Sequence, residues 1–173
     1  MKRTSIVYWL LPSKPERDLF CEIVRILRKE LHAPDFEPHL TLFVCAKDRQ
    51  SPKKVLQQVR SRPIRLQVGR VAFSAKFTKT LFVRFKPNPA LRKLVTMLGH
   101  AVKCSVRAPR DPHLSLVYKT LPRRVKKELA AVIRLPFRTA VFDSIAAVQL
   151  TLPVRTDDDV QKWKIVAKKS LHR

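Results

Sequence analysis

The chain has 173 residues, the size of one domain, and its 45% hydrophobic content excludes a disordered protein. Only 2 glycines are present, which excludes a Gly-rich phosphate loop of the P-loop or dinucleotide kind. The 37 Lys+Arg against 13 Asp+Glu give a net charge of +24, a bias toward polyanions that says nothing about fold.

Ser5 to Leu11 is apolar, β-branched and aromatic and ends at Pro12, so it reads as a first strand. From Pro15 to about Leu31 the spacing of Leu19, Phe20, Ile23, Ile26, Leu27 and Leu31 predicts an amphipathic helix. A strand from His39 to about Cys45 follows, then a polar loop at Lys47 to Gln50. Ser51 and Pro52 open a short helix with Val55, Leu56 and Val59 inward. Ile64 to Phe73 and Thr80 to Lys86 alternate as two strands of a hairpin. Pro89 opens a second long helix carrying Leu91, Leu94, Val95, Leu98 and Val102. A basic loop with Arg107 and Arg110 leads to a strand from His113 to about Lys119. A helix near Pro122 turns Val125, Leu129, Val132 and Ile133 inward. Strands then cover about Phe137–Leu152, with a break or bend, and Val160–Ala167, with Asp157 to Asp159 as the turn between them.

Apart from the opening strand, the second half repeats the first half's order of elements. That predicts an α+β fold of two pseudo-symmetric lobes with mostly antiparallel sheets. Neither half, roughly 1–87 and 88–173, has enough apolar surface to fold alone, so residues 1–173 are expected to form a single bilobal domain. Cys21, Cys45 and Cys104 are odd in number and lack a CxxC pair, which argues against zinc and disulfides and for a reducing compartment. The apolar start is too short to span a membrane and has no cleavage site, so a cytoplasmic protein without a membrane partner is expected.

One short stretch occurs twice. Pro38-His39-Leu40-Thr41-Leu42 returns 74 positions later as Pro112-His113-Leu114-Ser115-Leu116. Alternation in a strand puts His39 with Thr41 on one face, and His113 with Ser115, while the leucines enter the core. Each copy offers an imidazole for proton transfer and a hydroxyl that can bond an oxyanion. A lone histidine in a strand is more often structural than catalytic. Duplication changes the weight, because a structural repeat would have no reason to keep histidine. The one acidic cluster, Asp157 to Asp159, is contiguous, has no histidine nearby in sequence and reads as a solvated turn, so no metal is expected.

The paired His-Leu-Thr-Leu and His-Leu-Ser-Leu resemble the two motifs of the 2H phosphoesterase superfamily. Trp9-Leu10-Leu11-Pro12 before a long helix, Tyr118 after the second motif, and Thr156 to Asp159 followed by Trp163 resemble its plant cyclic phosphodiesterase branch. The resemblance implies a bilobal α+β fold with the site between the lobes. It implies His39 and His113 as catalytic, Thr41 and Ser115 as phosphate-binding, and no cofactor. It further implies His113 as base and His39 as acid, although the symmetry of the motifs does not decide the direction. Tyr118 matches an aromatic near the substrate, yet strict alternation puts it on the opposite face unless a bulge or the strand end re-aims it. Trp9 is read either as a stacking surface for a base or sugar or as a core residue. Cys104 matches a plant cysteine whose partner position here is Leu98, so no redox control is implied. The expected substrate is a nucleoside 2',3'-cyclic phosphate or ADP-ribose 1'',2''-cyclic phosphate, hydrolysed by a monomer. Two rivals stand beside it: an enzyme acting on RNA ends, which the charge favours, and a non-catalytic RNA-binding protein. Arg107, Arg110 and Lys119 are expected to form a cationic rim around the cleft.

Overall fold

The structure, a computed structural model, describes residues 2–45 and 50–172, so most of the loop expected at Lys47 to Gln50 lies outside the described residues. Among the described residues, seven strands alternate with five helices. They are β1 (Arg3–Pro12), α1 (Glu16–Leu31), β2 (Leu40–Cys45), α2 (Pro52–Gln58), β3 (Ile64–Phe73), β4 (Leu81–Phe85), α3 (Pro89–Val102), β5 (His113–Val117), α4 (Arg123–Val132), β6 (Thr139–Leu152), α5 (Asp157–Gln161) and β7 (Lys164–Ser170). Every pairing is antiparallel, in the order β1-β2-β5-β4-β3-β6-β7, with β1 also paired to β6.

The two halves of the repeat interleave in space. β1 and β2 of the first half pair with β6 and β5 of the second, while β5 also pairs with β4 and through it reaches β3. Helices follow the same exchange: α1 packs on β5 and α3 on β2. The motif strands β2 and β5 meet at one residue pair, Leu40 opposite Leu114. Each is the residue after its motif histidine, so the contact between the two copies lies beside both.

Local chemistry explains the long helices. Leu91 N–H donates to the Asn88 side chain at 2.8 Å, Pro89 occupies the first turn, and Leu91, Leu94, Val95 and Leu98 are buried. α1 carries Glu16 and Asp18 in its first turn and Arg28 and Lys29 in its last, in line with the helix dipole. Both helices end on a left-handed residue that is not glycine, His32 at φ 50° and Lys103 at φ 55°. Gly99 of α3 is needed for a different reason. A Cβ there would stand 2.4 Å from Val106 Cγ2, so the loop after the helix packs against bare backbone.

The main core lies between the sheet and the helices and takes Leu40, Leu42, Leu114 and Leu116 from the motifs. A smaller cluster on the other face holds Val7, Trp9, Leu11, Tyr118, Val148, Leu150 and Val160. β1 is thus buried on both faces, which is why it reads as an uninterrupted apolar run.

Several expectations need correction. β6 is one 14-residue strand without a break, and its irregularity is a bulge at Asp143, where the register with β1 shifts. Asp157 to Asp159 form the first turn of α5 rather than a turn between strands, and β7 starts at Lys164. The reason is a reciprocal cap: Thr156 Oγ1 accepts from Asp159 N–H, and the Asp159 carboxylate accepts from Thr156 N–H. Ile26 and Val132 are exposed, Val132 by 70%. In α4 the buried polar position is Lys126, whose Nζ donates to Ser74 O at 2.7 Å. No helix among the described residues is long and apolar enough to cross a membrane.

Candidate active site

His39 precedes β2 and His113 opens β5, and both line one cavity of about 270 Å³ together with Thr41, Ser115, Tyr118 and Trp9. All six sequence-derived site residues are therefore gathered at one place. Each imidazole is held the same way. His39 Nδ1 lies 2.7 Å from Glu37 O and His113 Nδ1 lies 2.9 Å from Asp111 O. A carbonyl only accepts, so Nδ1 carries the proton in both rings and Nε2 is the bare nitrogen.

The acids two residues upstream are themselves clamped. Arg17 grips Glu37 through two bonds of 2.7 and 3.0 Å. Asp111 pairs with Lys79 and with Arg84 Nε at 2.8 Å. Pro38 and Pro112 restrict the residue before each to extended backbone, which helps fix each carbonyl. The repeat is thus one residue longer than it first reads, Glu37-Pro38-His39 matching Asp111-Pro112-His113. That signal is visible in the sequence, but its use is the main-chain oxygen, which no side-chain pattern reveals.

A bulge follows the hydroxyl in each copy. Trp9 pairs with Thr41 and Tyr8 with Phe43, leaving Leu42 extra; Phe82 pairs with Ser115 and Leu81 with Val117, leaving Leu116 extra. An extra residue flips the alternation beyond it. Phe43 and Val117 therefore turn into the main core, while Val44 and Tyr118, again 74 positions apart, turn into the cavity. The bulge at Leu116 is what brings Tyr118 to the side of His113 and Ser115.

The two histidines differ in their surroundings. His39 is 4% exposed and stacks flat on Trp9, with ring centres 3.6 Å apart and planes 10° apart. Burial pushes its pKa down to about 3, against the raising effect of the Glu37 carbonyl, and the nearby His113 lowers it further. His113 is also lowered, first by burial and then by Lys79 and Arg84, while the Asp111 carbonyl and carboxylate raise it. Both rings are neutral at pH 7 in the free protein. Tyr118 O–H lies 3.4 Å from His39 Nε2, and burial pushes its own pKa up to about 12, so it stands as a neutral donor toward that nitrogen.

Trp9 is 2% exposed and its ring face is covered by His39, so it supports the imidazole and presents only part of its surface to the cavity. Ser115 Oγ donates to Thr78 O at 3.1 Å and must turn from it to bond an oxyanion. The remaining wall comprises Val7, Val44, Thr78, Leu150, Leu152, Val154 and Trp163, whose ring meets Trp9 and Tyr118 edge-on. No Lys or Arg is among the described residues that line the cavity. Arg107, Arg110 and Lys119 are not among the residues lining the cavity, and Lys119 is held by Asp157 and His32 O, each at 3.0 Å. Among the described residues no three His, Cys, Asp or Glu side chains cluster as metal ligands would.

The family model of the 2'-5' RNA ligase superfamily matches residues 11–151, a span that contains both histidine motifs. The chain belongs to this superfamily, that of the 2H phosphoesterases. A cyclic phosphodiesterase of Arabidopsis thaliana is 27% identical over 130 residues, which cover 73% of this chain and 72% of that protein. Among solved structures, E. coli LigT complexed with ATP superposes with a TM-score of 0.58 at 14% identity, covering 100% of both chains. The protein TT0787 of Thermus thermophilus gives a TM-score of 0.57 at 16% identity over 96% of this chain and 97% of that one. The 2H phosphoesterase fold is thus shared over the whole chain at identities too low to carry function.

Proposed function

We propose that the chain hydrolyses a cyclic phosphate, a nucleoside 2',3'-cyclic phosphate or ADP-ribose 1'',2''-cyclic phosphate, to a phosphomonoester without a metal. The observation that carries this is the pair of imidazoles in one cavity, each with Nδ1–H fixed on a carbonyl and Nε2 bare, each beside a hydroxyl. One Nε2 takes the proton of the attacking water while the other, as imidazolium, protonates the departing sugar oxygen. Each transfer contributes about 10²–10⁴-fold. Thr41 and Ser115 donate to the non-bridging oxygens, where charge grows in the transition state. The resemblance makes His113 the base and His39 the acid. Since burial keeps His39 neutral, it must take up a proton from solvent as the substrate binds: a phosphate anion at Nε2 favours the imidazolium that burial alone disfavours.

The related Arabidopsis protein named a cyclic phosphodiesterase supports this substrate class. A cavity of about 270 Å³ with no Lys or Arg among its described lining residues also favours a small cyclic phosphate over an RNA end, whose flanking phosphates would want cations. The second reading, action on RNA ends, draws support from the +24 charge and the superfamily's name. The test is turnover of a 2',3'-cyclic mononucleotide in EDTA, beside an RNA ending in a cyclic phosphate. Hydrolysis of the mononucleotide, lost in His39→Ala and in His113→Ala while circular dichroism is unchanged, is the expected result. Rescue by added metal, or turnover of the RNA alone, overturns the reading.

A further inference from the structure

None of the described residues lining the catalytic cavity is Lys or Arg, so the described cations lie elsewhere. A basic groove of about 520 Å³ is formed by the segment between α2 and β3, the exposed face of α3 and the end of β7. Arg60, Arg62, Lys93 and Lys169 line it, with no carboxylate among the described residues. None of the four belongs to an ion pair among the described residues. Another basic groove does neutralise part of its charge. In the groove at the end of α1, Arg25 pairs with Glu22 and Arg28 with Asp35. Lys169 Nζ donates to Val59 O at 2.6 Å and Gln57 O at 3.2 Å, so this cation is built in rather than loose. Burial and the neighbouring Arg60 lower its pKa, as an uncompensated positive field would.

A second groove, about 360 Å³ and with no carboxylate among the described residues, lies further along β3 and carries Arg70, Arg134 and Arg138. Ile64 lines the first groove and Val68 the second, and both residues pack into the core beneath the helices, so the two grooves open on the helix-bearing side. Along a strand, Ile64 to Val68 spans about 13 Å. A small anion fills one groove, whereas a chain of phosphates reaches both. No Phe, Tyr or Trp is among the described residues lining the first groove, where His172 is the one aromatic ring, so bases have little stacking platform and recognition falls mainly to the backbone.

We propose that the groove of Arg60, Arg62, Lys93 and Lys169, continued along β3 to the second groove, holds the sugar–phosphate backbone of a nucleic-acid strand at a site separate from the catalytic cavity. The site shares no lining residue with that cavity and does not depend on the reaction assigned to it.

The experiment measures binding of a 12-nucleotide oligouridylate bearing no cyclic phosphate, by fluorescence anisotropy between 50 and 300 mM salt. The triple variant Arg60→Gln/Arg62→Gln/Lys93→Gln removes up to three phosphate contacts. It is expected to weaken binding and reduce the log–log salt slope by about 2, at about 0.7 per contact on a single strand. The control Arg25→Gln/Arg28→Gln/Lys29→Gln removes the same formal charge and is expected to change the slope by less than half as much. Cyclic mononucleotide turnover is expected to stay at the parent value in both. Equal slopes in the two triple variants overturn the proposal, since net charge alone would then explain binding. A diuridylate that binds as tightly as the 12-mer also overturns it.

Discussion

Replacing His39 by glutamine tests the electrostatic account of the site without any substrate. His39 has a pKa of about 3 in the folded chain, against an ordinary value near 6.5 when unfolded. Between those values the unfolded state binds a proton that the folded state refuses, so stability is full above pH 6.5 and falls as pH drops toward 3. At about 1.4 kcal/mol per pKa unit, the loss between pH 7 and pH 5 from this residue is about 2 kcal/mol. His113 is shifted in the same direction, and the carboxylates titrate too, but all of these remain in the variant. Urea denaturation of both proteins at pH 7 and pH 5 isolates the difference. The parent is expected to lose about 2 kcal/mol more than His39→Gln over that interval. Equal losses in the two proteins would refute the argument, because His39 would then titrate normally and its burial against Trp9 would not hold it neutral.

A cyclic or acyclic diester with a nitrophenolate leaving group needs no acid, so His39→Ala is expected to regain most of its turnover on that substrate while His113→Ala does not; the opposite pattern reverses the direction of proton flow. Asp159→Ala removes the acceptor of Thr156 N–H, Arg155 N–H at 3.0 Å and Lys2 Nζ at 2.8 Å, and is expected to lower stability by about 1–3 kcal/mol in thermal unfolding. An unchanged Tm would mean that the α5 cap is dispensable. Gly99→Ala forces its Cβ against Val106 and is expected to destabilise by about 1–3 kcal/mol, with part of the loss recovered in Gly99→Ala/Val106→Ala. A single variant as stable as the parent would show that the loop moves aside freely.

The sequence by itself determined the repeat, and with it the type and order of most elements, because both rest on local periodicity and on prolines that punctuate it. The strands from β1 to β5 and all the long helices are legible in this way. So are the four motif side chains, since His39 with Thr41 and His113 with Ser115 need only a strand's period of two to share a face. Other features were present but weakly signalled: the Thr156 to Asp159 cap that makes α5 a helix, and the acid before each Pro-His.

Tertiary structure decided what depends on pairing between distant segments. The bulges at Leu42 and Leu116 arise where β2 meets β1 and β5 meets β4, so no window along the chain contains their cause. They reverse the alternation and turn Tyr118 into the cavity, against the local reading. Trp9 became the support of His39, and Trp163 part of the wall, only because β1, β2 and the approach to β7 converge. Burial of Lys126 and exposure of Val132 likewise follow from which side of α4 the sheet covers. The sharp difference in burial between two histidines of nearly identical sequence has the same origin. Local sequence sets what each ring can do, whereas the depth at which the fold buries it sets how strongly it resists a proton.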